Sequence, residues 1–312
     1  MGIVSTKILV GIFSYNEGEN LRTIYYELKR QCAHLNCNIV LIDESDEYES
    51  VAIVNKIIQE DSVTNIRANH HRRGKVHGYN LLYNYFIKTD CDILLHFDAD
   101  HILSCNAVSY LAKAIDSGFD IATCLNKPLK GENFFQRILY IMMQPSTMQR
   151  EIGIFKLPLV GHNGAYNRKA VTTLGEIPIG GVDEEMYVVY KVTNNGLSYI
   201  IETKAMSYYA LPGTLPDYVK TTRRVYGRVK AFEEYIAKNY LRTAISEKML
   251  IEDMIYSRPP FKLILKSLFS DLIASFFVPY VYLIRWAIMK CAKTYTTDTW
   301  DSVKTTKKLT RS

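Results

Sequence analysis

The sequence predicts an α/β fold built on a mostly parallel sheet, and three observations carry that prediction. Short apolar runs alternate with longer amphipathic stretches through the first half of the chain. The runs have strand length, and the stretches between them are long enough to be crossover helices. Charged residues follow the apolar runs, where an open parallel sheet meets its ligands at the carboxyl ends of the strands. With 312 residues, 48% hydrophobic and 22% charged, the chain can bury a proper core; a disulfide-stapled mini-protein, wholesale disorder and a polytopic membrane bundle are all excluded.

Taken in order, the expected strands are Ile8–Phe13, Asn38–Ile42, a weaker Thr64–Ala68, Asp92–Phe97 and Phe119–Leu125. Helical periodicity falls between them at about Glu17–Cys32, Tyr48–Glu60, Val76–Thr89 and Asn106–Ser117. The second half is less regular. It holds an apolar helical pattern at Phe134–Met143, a glycine-rich loop at Gly161–Arg168 and a helix running from Glu184 to about Asn194. Strand-like runs at Ser198–Glu202 and Ala205–Ala210 follow, then a basic amphipathic helix from Asp217 to Tyr240 and an aromatic, apolar stretch from Phe261 to Met289.

Charge divides unevenly along the chain. Residues 1–202 carry a net −4 and residues 203–312 a net +10, which argues against a nucleic-acid-binding body and points the basic last third toward phosphates or an anionic membrane. The cysteines, at positions 32, 37, 91, 105, 124 and 291, form no CxxC pair and no Cys/His cluster, so a reducing cytosol is the simplest compartment. The early apolar run Lys7–Phe13 is too short for a signal peptide.

The post-strand segments read Ser14-Tyr15-Asn16-Glu17, Asp43-Glu44-Ser45-Asp46, His70-His71-Arg72-Arg73-Gly74-Lys75 and Asp98-Ala99-Asp100-His101. Asn16 and Asp46 also suit helix caps, and an Asp-x-Asp pair occurs in plain turns. The pair Asp98 and Asp100 nonetheless supplies the hard oxygen donors that Mg²⁺ or Mn²⁺ prefers while leaving positions for water and phosphate. A phosphatase that uses Asp-x-Asp as its nucleophile is disfavoured, because that site lies on a first strand and three strands precede this one.

In this order and spacing, residues 7–240 resemble the nucleotide-sugar-binding region of family 2 glycosyltransferases of GT-A fold. Ile8–Asn20 (ILVGIFSYNEGEN) is similar to the opening strand and "YNE" loop, Ile39–Ser45 (IVLIDES) to "VDDGS", and Arg73–Leu81 (RGKVHGYNL) to "xGKxxALNx". Leu94–Asp100 resembles the strand ending in DxD, Gly161–Arg168 the "GxxGAxRR" acceptor loop, and Val182–Met186 the "EDxEL" segment, with Val182 in place of an acidic residue.

The resemblance implies an inverting, metal-dependent transferase that moves a sugar from a nucleotide donor, a UDP-sugar ahead of a GDP-sugar, to a glycan, glycolipid or polyprenyl-phosphate acceptor. It implies Asp183 as general base with Glu184 as the alternative. Ser14, Tyr15, Glu17, Asp43, Glu44, Arg73, Lys75 and Asp98 would bind the donor nucleotide, and Arg223 and Arg224 its pyrophosphate. His162, Asn163 and Gly164 would form the sugar and acceptor loop, and Asp98 and Asp100 would hold Mg²⁺ or Mn²⁺. Arg223-Arg224-Val225 stands where processive relatives carry QxxRW, so long-polymer synthesis is disfavoured. The other reading left open is an inactive nucleotide-sugar-binding relative acting as a membrane scaffold.

The expected organisation is a catalytic domain at 1–240 and a helical extension with a basic tail at 241–312. Leu272–Ile284 is uncharged but short of the roughly 20 residues of a spanning helix. With Lys262, Lys266, Arg285 and Lys290 around it, it suits a helix lying in the interface on the cytoplasmic face of a membrane, with a single span that takes Arg285 inside and a buried core helix as the alternatives.

Overall fold

The computed structural model describes residues 6–66, 73–153, 163–180, 182–239, 260–291 and 293. Its strands are β1 (Ile8–Ser14), β2 (Cys37–Asp43), β3 (Thr64–Asn65), β4 (Ile93–Asp98), β5 (His101–Leu103), β6 (Ile121–Pro128), β7 (Gly164–Asn167) and β8 (Tyr199–Tyr209). They form one sheet in the order β3-β2-β1-β4-β7-β6-β8-β5. β3, β2, β1 and β4 run parallel, as do β6 and β8; β7 pairs antiparallel with both β4 and β6, and β5 antiparallel with β8.

The helices are α1 (Glu19–Cys32), α2 (Tyr48–Asp61), α3 (Lys75–Lys88), α4 (Ala107–Asp116), α5 (Phe134–Glu151), α6 (Arg168–Leu174), α7 (Glu184–Asn194), α8 (Leu215–Asn239), α9 (Phe261–Phe269), α10 (Leu272–Ser275) and α11 (Val278–Cys291). Both sheet faces are covered, and β1 shows how. Ile8, Val10 and Ile12 pack with residues of α1, α2 and α4, whereas Leu9 and Phe13 pack with α3 and its neighbours, as the two-residue period of a strand requires. Between them Gly11 lets α3 approach closely, since a Cβ there would stand 2.6 Å from the Leu82 side chain.

The expected α/β alternation is present, with local differences that include two short elements not expected, β5 and α6. Gly164–Asn167, read as loop, is a buried central strand; Gly161 and His162 lie outside the described residues. The runs at Ser198–Glu202 and Ala205–Ala210 are one strand, β8, whose register against β6 shifts between Cys124 and Leu125. The helix expected to end at Met143 continues through Pro145 to Glu151. β3 spans two residues among those described, and Ala68, the expected end of that strand, lies outside them.

Leu272–Cys291 is, by length and composition, a candidate membrane span with mean hydropathy 1.7. It is also packed against the body: Ala274, Val278 and Val281 join Ile138, Leu139 and Met142 of α5 in one apolar cluster. Arg137 of α5 donates to Asp271 Oδ2 at 2.7 Å, and Asp271 caps α10.

A buried carboxylate ties the less regular half together. Asp120 accepts from Asn167 Nδ2 at 3.0 Å, Lys169 Nζ at 3.0 Å, the Ser198 backbone N–H at 2.9 Å and Ser198 Oγ at 3.1 Å. Burial alone would raise this carboxyl, but those hydrogen bonds outweigh it and hold it down to about 2. A depressed carboxylate stabilises the fold above its unfolded pKa near 4 and loses that contribution as pH falls toward 2. The gap in unfolding free energy between wild type and Asp120→Asn should therefore narrow by about 1 kcal/mol between pH 6 and pH 3 in urea titrations; a constant gap would show that the carboxylate's charge is not what stabilises this junction.

Candidate active site

The site forms where β1, β2 and β4 end. Close packing of α3 on β1 brings the first turn of α3 to the strand ends, and Glu44 closes that turn by accepting the backbone N–H groups of Gly74 at 2.9 Å and Arg73 at 3.3 Å. Lys75, the first residue of α3, donates to Asp98 Oδ2 at 2.7 Å and stands 3.9 Å from Glu184 Oε1. Burial alone would lower the Lys75 ammonium, but Asp98 and Glu184 outweigh it and hold it above its ordinary value. One ammonium thus joins the end of β4 to the start of α7.

The two acidic candidates at α7 differ sharply. Asp183 is the N-cap, its Oδ1 accepting the Met186 N–H at 3.1 Å. Glu184 is buried with Oε2 2.6 Å from Arg228 Nη2 of α8, so two cations neutralise it. The Asp183 carboxyl is pushed up to about 6, first by burial and then by Glu184, against the pull of Arg228. Asp183 is the better proton acceptor near neutral pH, and Glu184 is held as an ion-paired carboxylate.

On the other side of Lys75, the Asp98 backbone N–H donates to Asn163 Oδ1 at 2.9 Å. The Asp100 side chain is 40% exposed, with His101 Nε2 3.7 Å from its Oδ1. Ligand atoms of Asp98, Asp100 and His101 lie within 4.8 Å of one another. Such a set fits a divalent cation: its carboxylates are hard oxygen donors, and the Asp100 side chain is open to solvent.

The β1 and β2 ends are shaped by their own hydrogen bonds. Asn16, at φ +53°, accepts from the backbone N–H groups of Asp46 and Glu47 at 3.0 Å and donates to Asp46 Oδ1 at 2.6 Å. Tyr15 Oη donates to Asp46 at 3.3 Å, and Glu17 accepts from Asn20 at 3.3 Å. Asp43 is buried and accepts from Ser45 Oγ at 2.6 Å. Ser14 Oγ, opposite Asp43 in the β1–β2 register, is buried with no hydrogen-bond partner among the described residues.

The structure thus brings Lys75, Asp98, Asp100, Asn163, Asp183 and Glu184 into one connected set. Arg224 shares a helical face with Arg228, four residues on, but Arg223 is exposed and about 140° round the helix from Arg228. Gly164 pairs with His96 and Thr123 inside the sheet, and a Cβ there would stand 2.9 Å from the Ala122 carbonyl oxygen. His162 lies outside the described residues. Sequence reasoning gave no role to Arg228, read as one charge on a basic helix, or to His101, although Arg224 and Arg228 at i and i+4 were a readable stripe.

The family model described as glycosyl transferase family 2 matches residues 9–175. Among solved structures, the chain is similar to mannosyltransferase PcManGT from Pyrobaculum calidifontis, determined in complex with GDP-Man and Mn²⁺. That similarity has 16% identity and a TM-score of 0.54, and covers 93% of this chain and 76% of the other. At this identity the likeness establishes the fold.

Because Glu184 and Arg228 are buried partners, Arg228→Met should destabilise the protein by about 3–5 kcal/mol, the cost of leaving a buried charge unpaired. Adding Glu184→Gln should recover part of it, giving a coupling energy of about 1–3 kcal/mol in a double-mutant cycle followed by urea unfolding. Additive effects would mean that the pair is not coupled in solution.

Proposed function

The chain belongs to glycosyl transferase family 2, and on that premise we propose an inverting glycosyltransferase that moves a sugar from a nucleoside-diphosphate donor to a hydroxyl or phosphate acceptor, with Asp183 as general base. The observation that carries this reading is the shared Lys75: the acidic strand end suited to a metal diphosphate and the acidic helix start suited to a base are joined by one buried ammonium.

An acceptor hydroxyl attacks the anomeric carbon opposite the leaving diphosphate, the new C–O bond forms as the old one breaks, and the hydroxyl proton passes to Asp183. One carboxylate suffices for inversion by transfer. Lys75 stays positively charged beside the departing phosphates, and Arg224 is the second candidate there; the exposed Arg223 is the weaker of the pair. Tyr15, Glu17, Asp43 and the unsatisfied Ser14 hydroxyl line the strand ends assigned to base and ribose, while Glu44, Arg73 and Gly74 form the adjoining turn. Asn163, the residue before β7, is the member of the expected acceptor-side loop that reaches the Asp98 backbone, whereas Gly164 lies inside the sheet.

Asp98 and Asp100 would hold the divalent cation, Mg²⁺ or Mn²⁺, which when bound neutralises charge on the leaving diphosphate. The Mn²⁺ and GDP-Man bound to the Pyrobaculum calidifontis enzyme support a metal and a nucleotide sugar. The base and sugar are read by a screen of donor hydrolysis over UDP- and GDP-sugars with and without Mn²⁺.

The C-terminal extension, residues 241–312, is proposed to dock residues 1–240 on the cytoplasmic face of a membrane. Outward from the cluster on α5, the segment exposes Phe269, Ile273, Phe276, Tyr280, Leu283 and Trp286, with Phe276 78% exposed. Anchoring through Asp271 to Arg137 and packing of Ala274, Val278 and Val281 on α5 favour lying in the interface over spanning, for which Leu272–Cys291 has the length.

Asp183→Asn should bind donor nearly as wild type yet lose about 10²–10⁴-fold in transfer to a hydroxyl acceptor. Because the base works deprotonated, wild-type kcat/KM should rise as pH passes about 6, and this limb should vanish from the residual activity of the variant. Equal turnover would move the base off this residue. In flotation assays the full chain should bind anionic liposomes and release as salt rises, whereas Phe276→Glu with Trp286→Glu should abolish binding. Resistance to salt and alkaline extraction would instead identify a spanning helix.

A further inference from the structure

The seam between α8 and α11 holds a cation without a counterion among the described residues. Arg285 of α11 is half-buried, and its Nε donates to Tyr226 Oη of α8 at 2.8 Å, with the guanidinium carbon 5.8 Å from the centre of that ring. Tyr218 and Tyr282 are close enough for their hydroxyls to act on the same charge. Arg137 and Arg228 each meet a carboxylate. Among the described residues Arg285 meets none, although withdrawing such a charge from water without an anion is costly. The terminal NH₂ groups of its fork remain available to one.

Tyr218 is a second, independent sign. It is 7% exposed, and its hydroxyl lies near the Thr222 side chain but makes no hydrogen bond of acceptable geometry among the described residues. Buried hydroxyls are rarely left so. A single oxyanion on the seam would satisfy both this hydroxyl and the fork.

The surroundings indicate what carries that oxyanion. Tyr282, Leu283 and Trp286 flank Arg285 on α11 and are exposed, continuing the outward apolar face. An arginine fork matches phosphate bidentately, and tyrosine and tryptophan favour headgroup depth. Tyr226 and Arg228 leave α8 about 200° apart, so that helix stands between Arg285 and the acidic pair at α7. A phosphate held here is therefore not the one that reacts.

We propose that Arg285, with the Tyr218 and Tyr282 hydroxyls, binds the headgroup phosphate of a membrane phospholipid, with Tyr226 positioning the fork. This rests on the reading that the C-terminal segment docks on a membrane, and it names the group recognised there.

The test uses the full chain with dihexanoyl phosphatidylglycerol below its micellar concentration, followed by titration calorimetry and by the Nε signals of ¹⁵N-arginine protein. The lipid should shift the arginine Nε resonance that is missing from Arg285→Lys, and inorganic phosphate should bind at least about 10-fold more weakly for want of chains to bury. Arg285→Lys keeps the charge but loses the fork, and should bind the lipid at least about 10-fold more weakly. Tyr218→Phe removes only an unbonded hydroxyl, so it should unfold no more easily than wild type yet bind the lipid about 10-fold more weakly. Equal affinity for inorganic phosphate and lipid would overturn the headgroup assignment. Wild-type affinity of both variants for the lipid, with flotation on anionic vesicles intact, would overturn the phosphate site and leave interfacial docking standing. No flotation and no lipid binding by the wild type would overturn both.

Discussion

The buried ammonium of Lys75 is the interaction on which the site depends. It is the first side chain of α3, it closes on the last residue of β4, and it faces the first residue of α7. Asp98 and Glu184 are both buried, and neither charge would be tolerated there without a compensating cation. Arg228 completes the balance from the far side of Glu184. With Glu184 facing Lys75 on one oxygen and Arg228 on the other, the carboxylate left with raised proton affinity is Asp183, pushed up by burial and by Glu184. The difference in role between adjacent acids follows from which one the cations reach.

That ammonium can occupy its position because of backbone fit elsewhere. α3 packs against β1 across Gly11, where any larger residue would meet Leu82. The N-terminus of α3, with its outward N–H groups, is then brought against Glu44 at the end of β2. A helix start presents partial positive charge, so the Glu44 carboxylate stabilises it. The parallel half of the sheet therefore aligns three strand ends and one helix start, which is why residues far apart in sequence converge.

What the sequence disclosed follows the strength of its local signals. β1, β2, β4 and the helices after them were legible because apolar runs of full strand length ended in polar turns; Asp98 was singled out as part of an Asp-x-Asp pair at a strand end, and Lys75 and Asp183 through the family resemblance. β7 was not, since Gly-Ala-Tyr-Asn has neither alternation nor length; its pairing with β4 and β6 is decided by tertiary contacts. β5, three residues long, gives no period to detect. The importance of Arg228 was hidden because a charge on a basic helix reads as solvated until the partner element is known. His101 was visible beside the Asp-x-Asp pair as a packing residue, but its partners Asn163 and Ser207, 62 and 106 residues away in sequence, are set by the fold.

Helix α8 links the site to the C-terminal segment without any further device. Arg228 on one side of it holds Glu184, while Tyr226, two residues earlier and therefore about 200° round the helix, accepts from Arg285 Nε of α11 at 2.8 Å. Ile288 of α11 packs beside Tyr226 in the same small cluster. One rigid element thus carries the contact that fixes the acidic pair and the contact that fixes the outward apolar face. Because a helix transmits position with little strain, the distance and direction from that face to Asp183 are set by the fold. On the proposed reading, an acceptor held at such a surface would meet Asp183 in a constant geometry, the condition that an in-line displacement needs.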